Sequence, residues 1–214
     1  GGSPRAGIKL GEGDKEEADR IFNTSFLLLL VVGIFIGAIT FIFAKEIVVS
    51  FGCPPSAIEF AVSYLKIYSC GTVFVMLSQG LNPFILTQGY SMTAMCSVLL
   101  GAVINIALDP LFIFVFGLGV RGAAIATVIF TFNMGVGGSG LATILSQMCS
   151  CVCIIAFFFT KKSLFHFKFK EMKPTYSRVI NIVSLGITPF VMTITECAIQ
   201  IVFNINLNHA TGGN

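Results

Sequence analysis

Residues 24–43 read TSFLLLLVVGIFIGAITFIF, 20 consecutive positions without a charged side chain. A helix needs about 20 mainly apolar residues to cross the hydrocarbon of a bilayer, and the chain repeats this pattern. Further apolar runs occupy 68–86, 94–116, 139–159 and 180–205, the first of these entered by a helical approach that carries Lys66. Charged residues make up 11% of the 214 positions, whereas a soluble domain uses about 25% to cover its surface. A content of 55% hydrophobic residues, 22 of them Phe, also excludes disorder. The expected fold class is an all-α polytopic membrane protein with the lipid bilayer as its first partner. An ordinary cytosolic enzyme is excluded and no enzymatic activity is expected. No nucleic-acid partner is expected either, because basic residues are not interleaved with exposed aromatics.

The loops orient the spans. Segment 1–20 carries Arg5, Lys9, Lys15 and Arg20 beside Glu12, Asp14, Glu16, Glu17 and Asp19, and 161–178 carries Lys161, Lys162, Lys168, Lys170, Lys173 and Arg178 against Glu171 alone. The loop at 51–56 has no charge. Lys and Arg, counted without regard to acids, mark the cytoplasmic side. Loops 1–20 and 161–178 are therefore both expected in the cytoplasm, at the plasma membrane. Four crossings separate them, the even number that a shared side requires.

Several motifs carry less than their composition suggests. GGSPRAGIKLGEG at 1–13 is Gly-rich but lacks the GK[ST] ending of a phosphate loop. Asp14 with Glu17 three residues on makes a capping box that opens a short amphipathic helix leading into the first span. Cys53, Cys70, Cys96, Cys149, Cys151, Cys153 and Cys197 form no C-x-x-C pair and read as small packing residues rather than metal ligands. His166 and His209 are read as loop residues without partners for catalysis.

An ionisable group at bilayer depth is costly, which makes it a functional candidate by default. Asp109 lies in GAVINIALDPLFIF with Asn105 four residues earlier, a spacing that stacks both on one helix face. Pro110 follows and frees a preceding carbonyl. A carboxylate, an amide oxygen and freed carbonyls suit a hard cation or a proton. A water-bonded Asp at a helix end is the competing reading. Glu196, in LGITPFVMTITECAIQIVF just after Thr193 and Thr195 and after Pro189, is the second candidate. Gln79, Asn82 and Gln88 either line a cavity, Gln79 and Asn82 then facing substrate, or act as polar glue between helices.

Taken in order, GGSPRAGIKLGEGDKEEAD, GLNPFILTQGYS, GAVINIALDPLFIFVFGLGVRGAAIATVI and LGITPFVMTITE resemble the multidrug and toxic compound extrusion (MATE) family over nearly the whole chain. The resemblance implies part of a fold of about twelve helices in two bundles related by a pseudo-two-fold axis. It implies an antiporter that exports organic, often cationic or amphipathic compounds against Na⁺ or H⁺, monomeric at full length, with no cofactor beyond the coupling ion. By the same comparison the chain starts at the end of helix two, like a fragment of something longer. Residues 1–178 would hold most of the amino-terminal bundle with four complete spans, and 179–214 the start of the second bundle. Asn105 and Asp109 match the ion-coupling Asn-x-x-x-Asp pair, Thr127 matches the Thr that completes that site, and Glu196 matches a coupling carboxylate of helix seven. A lipid-linked oligosaccharide flippase of related architecture and an inactive membrane fragment are the alternatives. A flippase cavity calls for several basic side chains, and these spans offer acids and amides.

The chain departs from the family at 113–144. IFVFGLGVRGAAIATV and IFTFNMGVGGSGLATI share eight of 16 positions, as a tandem duplication would. An extra crossing would break the charge parity, so the additional copy is expected to form a re-entrant or extracellular hairpin. Thr143 then competes with Thr127 for the place in the ion site.

Overall fold

The computed structural model describes residues 1–55, 57–110, 135–160, 162–167 and 175–211. All regular structure among them is α-helical: α1 Gly2–Gly11, α2 Lys15–Ile42, α3 Ala44–Ser50, α4 Ile58–Thr87, α5 Ser91–Pro110, α6 Gly135–Phe158 and α7 Tyr176–Thr211. Helices α2, α4, α5, α6 and α7 are each long and apolar enough to span a membrane. They correspond one for one to the apolar runs. The fold is an all-α polytopic bundle that presents its apolar side chains outward. Phe35, Ile106 and Phe190 are all strongly exposed, Ile106 by 71%, which water would not tolerate as a continuous belt.

Helix directions follow from facing residues. On α2 and α4, Gly37 lies beside Ser69 and Leu29 beside Gly80, so the two run antiparallel. Gly71 and Ser78 of α4 face Ile144 and Gln147 of α6, a parallel pair. Ser97 and Asn105 of α5 meet Ser150 and Thr143 of α6, an antiparallel pair. Consecutive spans thus alternate, and Pro110 and Gly135 lie at one end of the bundle. The hairpin expected of the duplicated block, and the stretch 111–116 assigned to the third span, fall outside the described residues.

Lipid tails are as apolar as Leu, so helices in a bilayer associate by close packing of small residues rather than by hydrophobic exclusion. Gly33 and Gly37 make a G-x-x-x-G face on α2. A methyl group on Gly37 would sit 2.9 Å from the Ser69 carbonyl oxygen, and one on Gly33 would sit 3.2 Å from Val73 Cα. The turn between α4 and α5 needs glycine for a different reason: Gly89 has φ +84°, in the left-handed region open to it without Cβ strain.

The segment expected as loop 1–20 is largely helical. Residues 2–11 form α1, which packs along α2 and α4 with Ala6 fully buried. Its sequence has no apolar run to announce a helix. Its small residues instead allow close approach: Gly2 lies against Ser25 and Phe84, and Gly7 against Thr87. The turn at 12–14 then leads to α2, whose N-terminus Asp14 caps by accepting a hydrogen bond from the Glu17 N–H at 3.0 Å. The capping-box helix and the first span are therefore one helix. α3, after a bend at Phe43, has no counterpart in the apolar pattern. His209 lies within α7 rather than in a loop. That helix begins at Tyr176, just before the expected division at 178.

The densest core lies at the end of the bundle that carries the basic loops. Phe22 is fully buried with its ring 4.6–5.4 Å from those of Phe84, Phe158, Phe165 and Phe167. Arrangements of this kind add roughly 0.5–1.5 kcal/mol per pair beyond burial. At the opposite end Lys66 is exposed, with its Nζ 5.9 Å from the Phe41 ring centre, in keeping with a side chain that reaches toward the interface.

Candidate functional site

A line of polar side chains runs along α6 where it meets its neighbours. Thr143, Ser146, Gln147 and Ser150 recur at the three- and four-residue steps that place them on one side of the helix. Asn105 Nδ2 on α5 donates to Thr143 Oγ1 at 3.3 Å. One turn along, the buried Ser146 donates back to the Thr143 carbonyl at 2.8 Å. Ser78 Oγ on α4 donates to Gln147 Oε1 at 3.2 Å, and Ser150 Oγ donates to the Ser97 carbonyl at 3.0 Å. Gly101 opens the space beside Ser146 and Ser150 that this approach needs.

The centre of interest is the Asn105–Thr143 pair. With its amide nitrogen committed to Thr143, Asn105 keeps its carbonyl oxygen as a neutral, hard acceptor. Asp109 follows one helical turn later on α5, and its side chain lies outside those described. Pro110 has no N–H to offer the Ile106 carbonyl. Such oxygens suit an alkali cation or a proton relay better than a soft metal. No cluster of three or more His, Cys, Asp or Glu that could hold a metal occurs among the described residues. Thr127 falls outside the described residues, so the placement of a Thr beside Asn105 rests on Thr143 alone.

Glu196 is not brought to this pair. It is exposed on α7, which touches α1 and α2 and no other helix among the described residues. The two Thr residues before it bond to their own helix: Thr193 Oγ1 donates to the Pro189 carbonyl at 3.0 Å and Thr195 Oγ1 to the Val191 carbonyl at 2.9 Å.

The three amides, two within α4 and Gln88 at its C-cap, separate into different roles. Gln79 lines an open cleft of about 520 Å³ between α1, α2, α4 and α7, with Ser3, Ser25, Leu28, Pro83 and Ile182 among its walls. Asn82 is not part of that lining, and its Oδ1 is buried with no hydrogen-bond partner among the described residues. Gln88 is a clasp. Its Oε1 accepts from the Leu164 N–H at 2.6 Å and from Ser163 Oγ at 3.1 Å, and its Nε2 donates to the Phe84 carbonyl at 2.9 Å. Sequence reading also missed Asp19 and Asn23. Asp19 Oδ1 accepts from the His166 N–H at 3.1 Å, and Asn23 Nδ2 donates to the His166 carbonyl at 3.0 Å. Their position five and nine residues beyond the helix cap at Asp14 was the one available signal.

A bundle of alternating apolar spans, joined by a hydrogen-bonded amide and hydroxyl inside it, defines a polytopic α-helical membrane protein. A family model described as MatE matches residues 1–111, more than half of the chain, which therefore belongs to the MATE family. It is a multi-pass plasma-membrane protein. Over 214 residues it is 29% identical to the multidrug export protein MepA of Staphylococcus haemolyticus (strain JCSC1435), covering 100% of this chain and 43% of that protein. Over 199 residues it is 27% identical to MepA of Staphylococcus aureus (strain NCTC 8325 / PS 47), covering 92% and 41%. The chain thus spans less than half the length of these relatives. Its fold resembles the inward-facing conformation of a multidrug resistance MATE family transporter of the MOP superfamily, with a TM-score of 0.74, 24% identity, and coverage of 87% of this chain and 39% of the other. It resembles an outward-facing conformation with a TM-score of 0.71, at the same identity and with coverage of 87% and 38%.

Proposed function

We propose that the chain is part of a multidrug exporter that exchanges organic, often cationic compounds for Na⁺ or H⁺. The observation that carries this reading is the Asn105–Thr143 hydrogen bond, which joins α5 to α6 one turn from Asp109. The multidrug export proteins among its relatives support the substrate class.

The mechanism follows from the competing effects on a carboxyl group inside a bundle. Apolar surroundings favour the protonated acid, whereas a bound cation favours the carboxylate. Asp109 would trade a proton or Na⁺ as its surroundings alternate between dry and wet. Asn105 and Thr143 would supply neutral oxygens that do not titrate. Pro110 would let α5 bend differently in the two states. Ion and drug then compete because each favours a different geometry of the same helix, which is how a ligand shifts a two-state element. Glu196 would act as a second carboxylate on α7, and the cleft beside Gln79 would take the apolar part of a substrate.

The test is dye efflux by the full-length protein in vesicles with an imposed Na⁺ or pH gradient. Efflux that ignores both gradients would remove the antiport reading. Transport of a lipid-linked oligosaccharide without drug efflux would favour the flippase instead.

A further inference from the structure

The segment linking α6 to α7 is fastened at both ends by contacts of different kinds. At its start the backbone is held by Gln88, Asp19 and Asn23 through the hydrogen bonds to residues 163–166, over the Phe22 aromatic core. At its end the polar hold among the described residues is an ion pair. Arg178 Nε donates to Glu17 Oε1 at 2.9 Å and its Nη2 to Glu17 Oε2 at 3.1 Å, a two-pronged contact between the first turns of α7 and α2. The side chains are 15% and 28% exposed, so water reaches them.

These two fastenings differ in how readily they open. Breaking the first strands backbone groups against an aromatic core, which is costly. Breaking the second releases two charges into water, and exposed ion pairs are worth only about 0–1 kcal/mol, somewhat more with paired Arg geometry. Glu17 also has a second cation in reach, Arg20 Nη1 at 3.8 Å from its Oε2. The carboxylate would keep a counter-charge if Arg178 left. Beyond this point α7 touches α1 and α2 among the described residues, with Ile182 buried beside Gly1, so the pair is the polar member of the contacts that set how α7 leaves the bundle.

We propose that Glu17 and Arg178 form a make-and-break tie at the basic end of the bundle, closed when that end is shut and open when α7 swings away to admit substrate. Both are positioning residues, acting on access through α7. The tie rests on the exchange mechanism proposed above for its purpose, though its opening can be measured without transport.

The experiment uses the full-length protein, free of native Cys, in lipid nanodiscs. Spin labels at Glu16 and Ser177 report the separation of the two helix starts by pulsed electron paramagnetic resonance. The expected result is a short and a long distance population. Glu17→Gln and Arg178→Gln should each raise the long-to-short ratio roughly three- to tenfold, the range open to a partly exposed paired Arg. The exchanged pair Glu17→Arg with Arg178→Glu should bring the ratio back toward the parent. One short distance, unmoved by either single substitution, would overturn the tie even if gradient-driven efflux is intact. Two populations that respond to the substitutions in a protein without gradient-driven efflux would keep the tie and remove the exchange mechanism.

Discussion

Asn105 on α5 and Thr143 on α6 share a hydrogen bond of 3.3 Å, although 38 positions separate them in the chain. The pair ties the helix that carries Asp109 to the second of two nearly repeated blocks. A shift of α5 that changes the setting of Asp109 therefore acts on this bond, and the first prediction removes the Asp109 carboxyl and the Thr143 hydroxyl in turn.

In the full-length protein, Asp109→Asn keeps size and hydrogen-bonding capacity but cannot titrate. Membrane insertion should survive and gradient-driven dye efflux should fall to background. Thr143→Ala should lower efflux by roughly five- to tenfold, corresponding to about 1 kcal/mol for one hydrogen bond. Thr127→Ala should leave it near the parental rate. Parental efflux in the Asp109→Asn protein would make Asp109 a structural residue.

Gly37→Ala places a methyl group 2.9 Å from the Ser69 carbonyl, where backbone must move to receive it. Overpacking of this kind costs about 1–3 kcal/mol. Thermal unfolding of the purified protein in detergent should show a lower midpoint for Gly37→Ala. Gly11→Ala, which meets nothing within 4 Å, should match the parent.

Gln88→Ala removes the acceptor of the Leu164 N–H and of Ser163 Oγ. The loss is about 1–2 kcal/mol, and it should appear locally. Hydrogen exchange at Leu164 should accelerate by roughly tenfold while amides in α2 and α4 hold their rates. Uniform acceleration throughout the bundle would show that Gln88 supports the whole fold instead.

Topology has a direct test. Lys162 is exposed at the basic end, so a Cys placed there on a Cys-free background should resist an impermeant maleimide in intact cells and react once the membrane is opened. Labelling in intact cells would turn the protein over in the membrane.

The sequence made the spans legible because lipid imposes a requirement that can be counted: a run of about 20 apolar residues. It also made the Asp14–Glu17 cap legible, because that contact is local. α1 was hidden for the converse reason. Its helix rests on Gly2, Ala6 and Gly7 fitting against other helices, and small residues read as a loop when their neighbours are unknown. Gln88 could not be separated from Gln79 by inspection, since both are amides in or just after one apolar run. Their roles depend on which end of α4 each occupies and what lies opposite. Thr127 and Thr143 sit in the same Ala-Thr step of two similar blocks, so nothing local separates them; the bond of Asn105 to Thr143 depends on the pairing of α5 with α6, and Thr127 lies outside the described residues. Glu17 and Arg178, 161 positions apart, gave no signal that spacing could reveal.

α2 and α4 contain 28 and 30 residues, about 42 and 45 Å at ~1.5 Å per residue. The hydrocarbon they cross is about 30 Å thick, so each has turns to spare. On α2 the surplus lies at the start, where Glu16, Glu17, Asp19 and Arg20 precede the apolar run. That overhang makes the protein a gauge of membrane thickness. In lipids with longer acyl chains the headgroups would climb the overhang toward Glu17 and Arg178, and shedding the pair's water would hold α7 more firmly. Shorter chains would leave it wetter and looser, so the same chain would run differently in membranes of different depth.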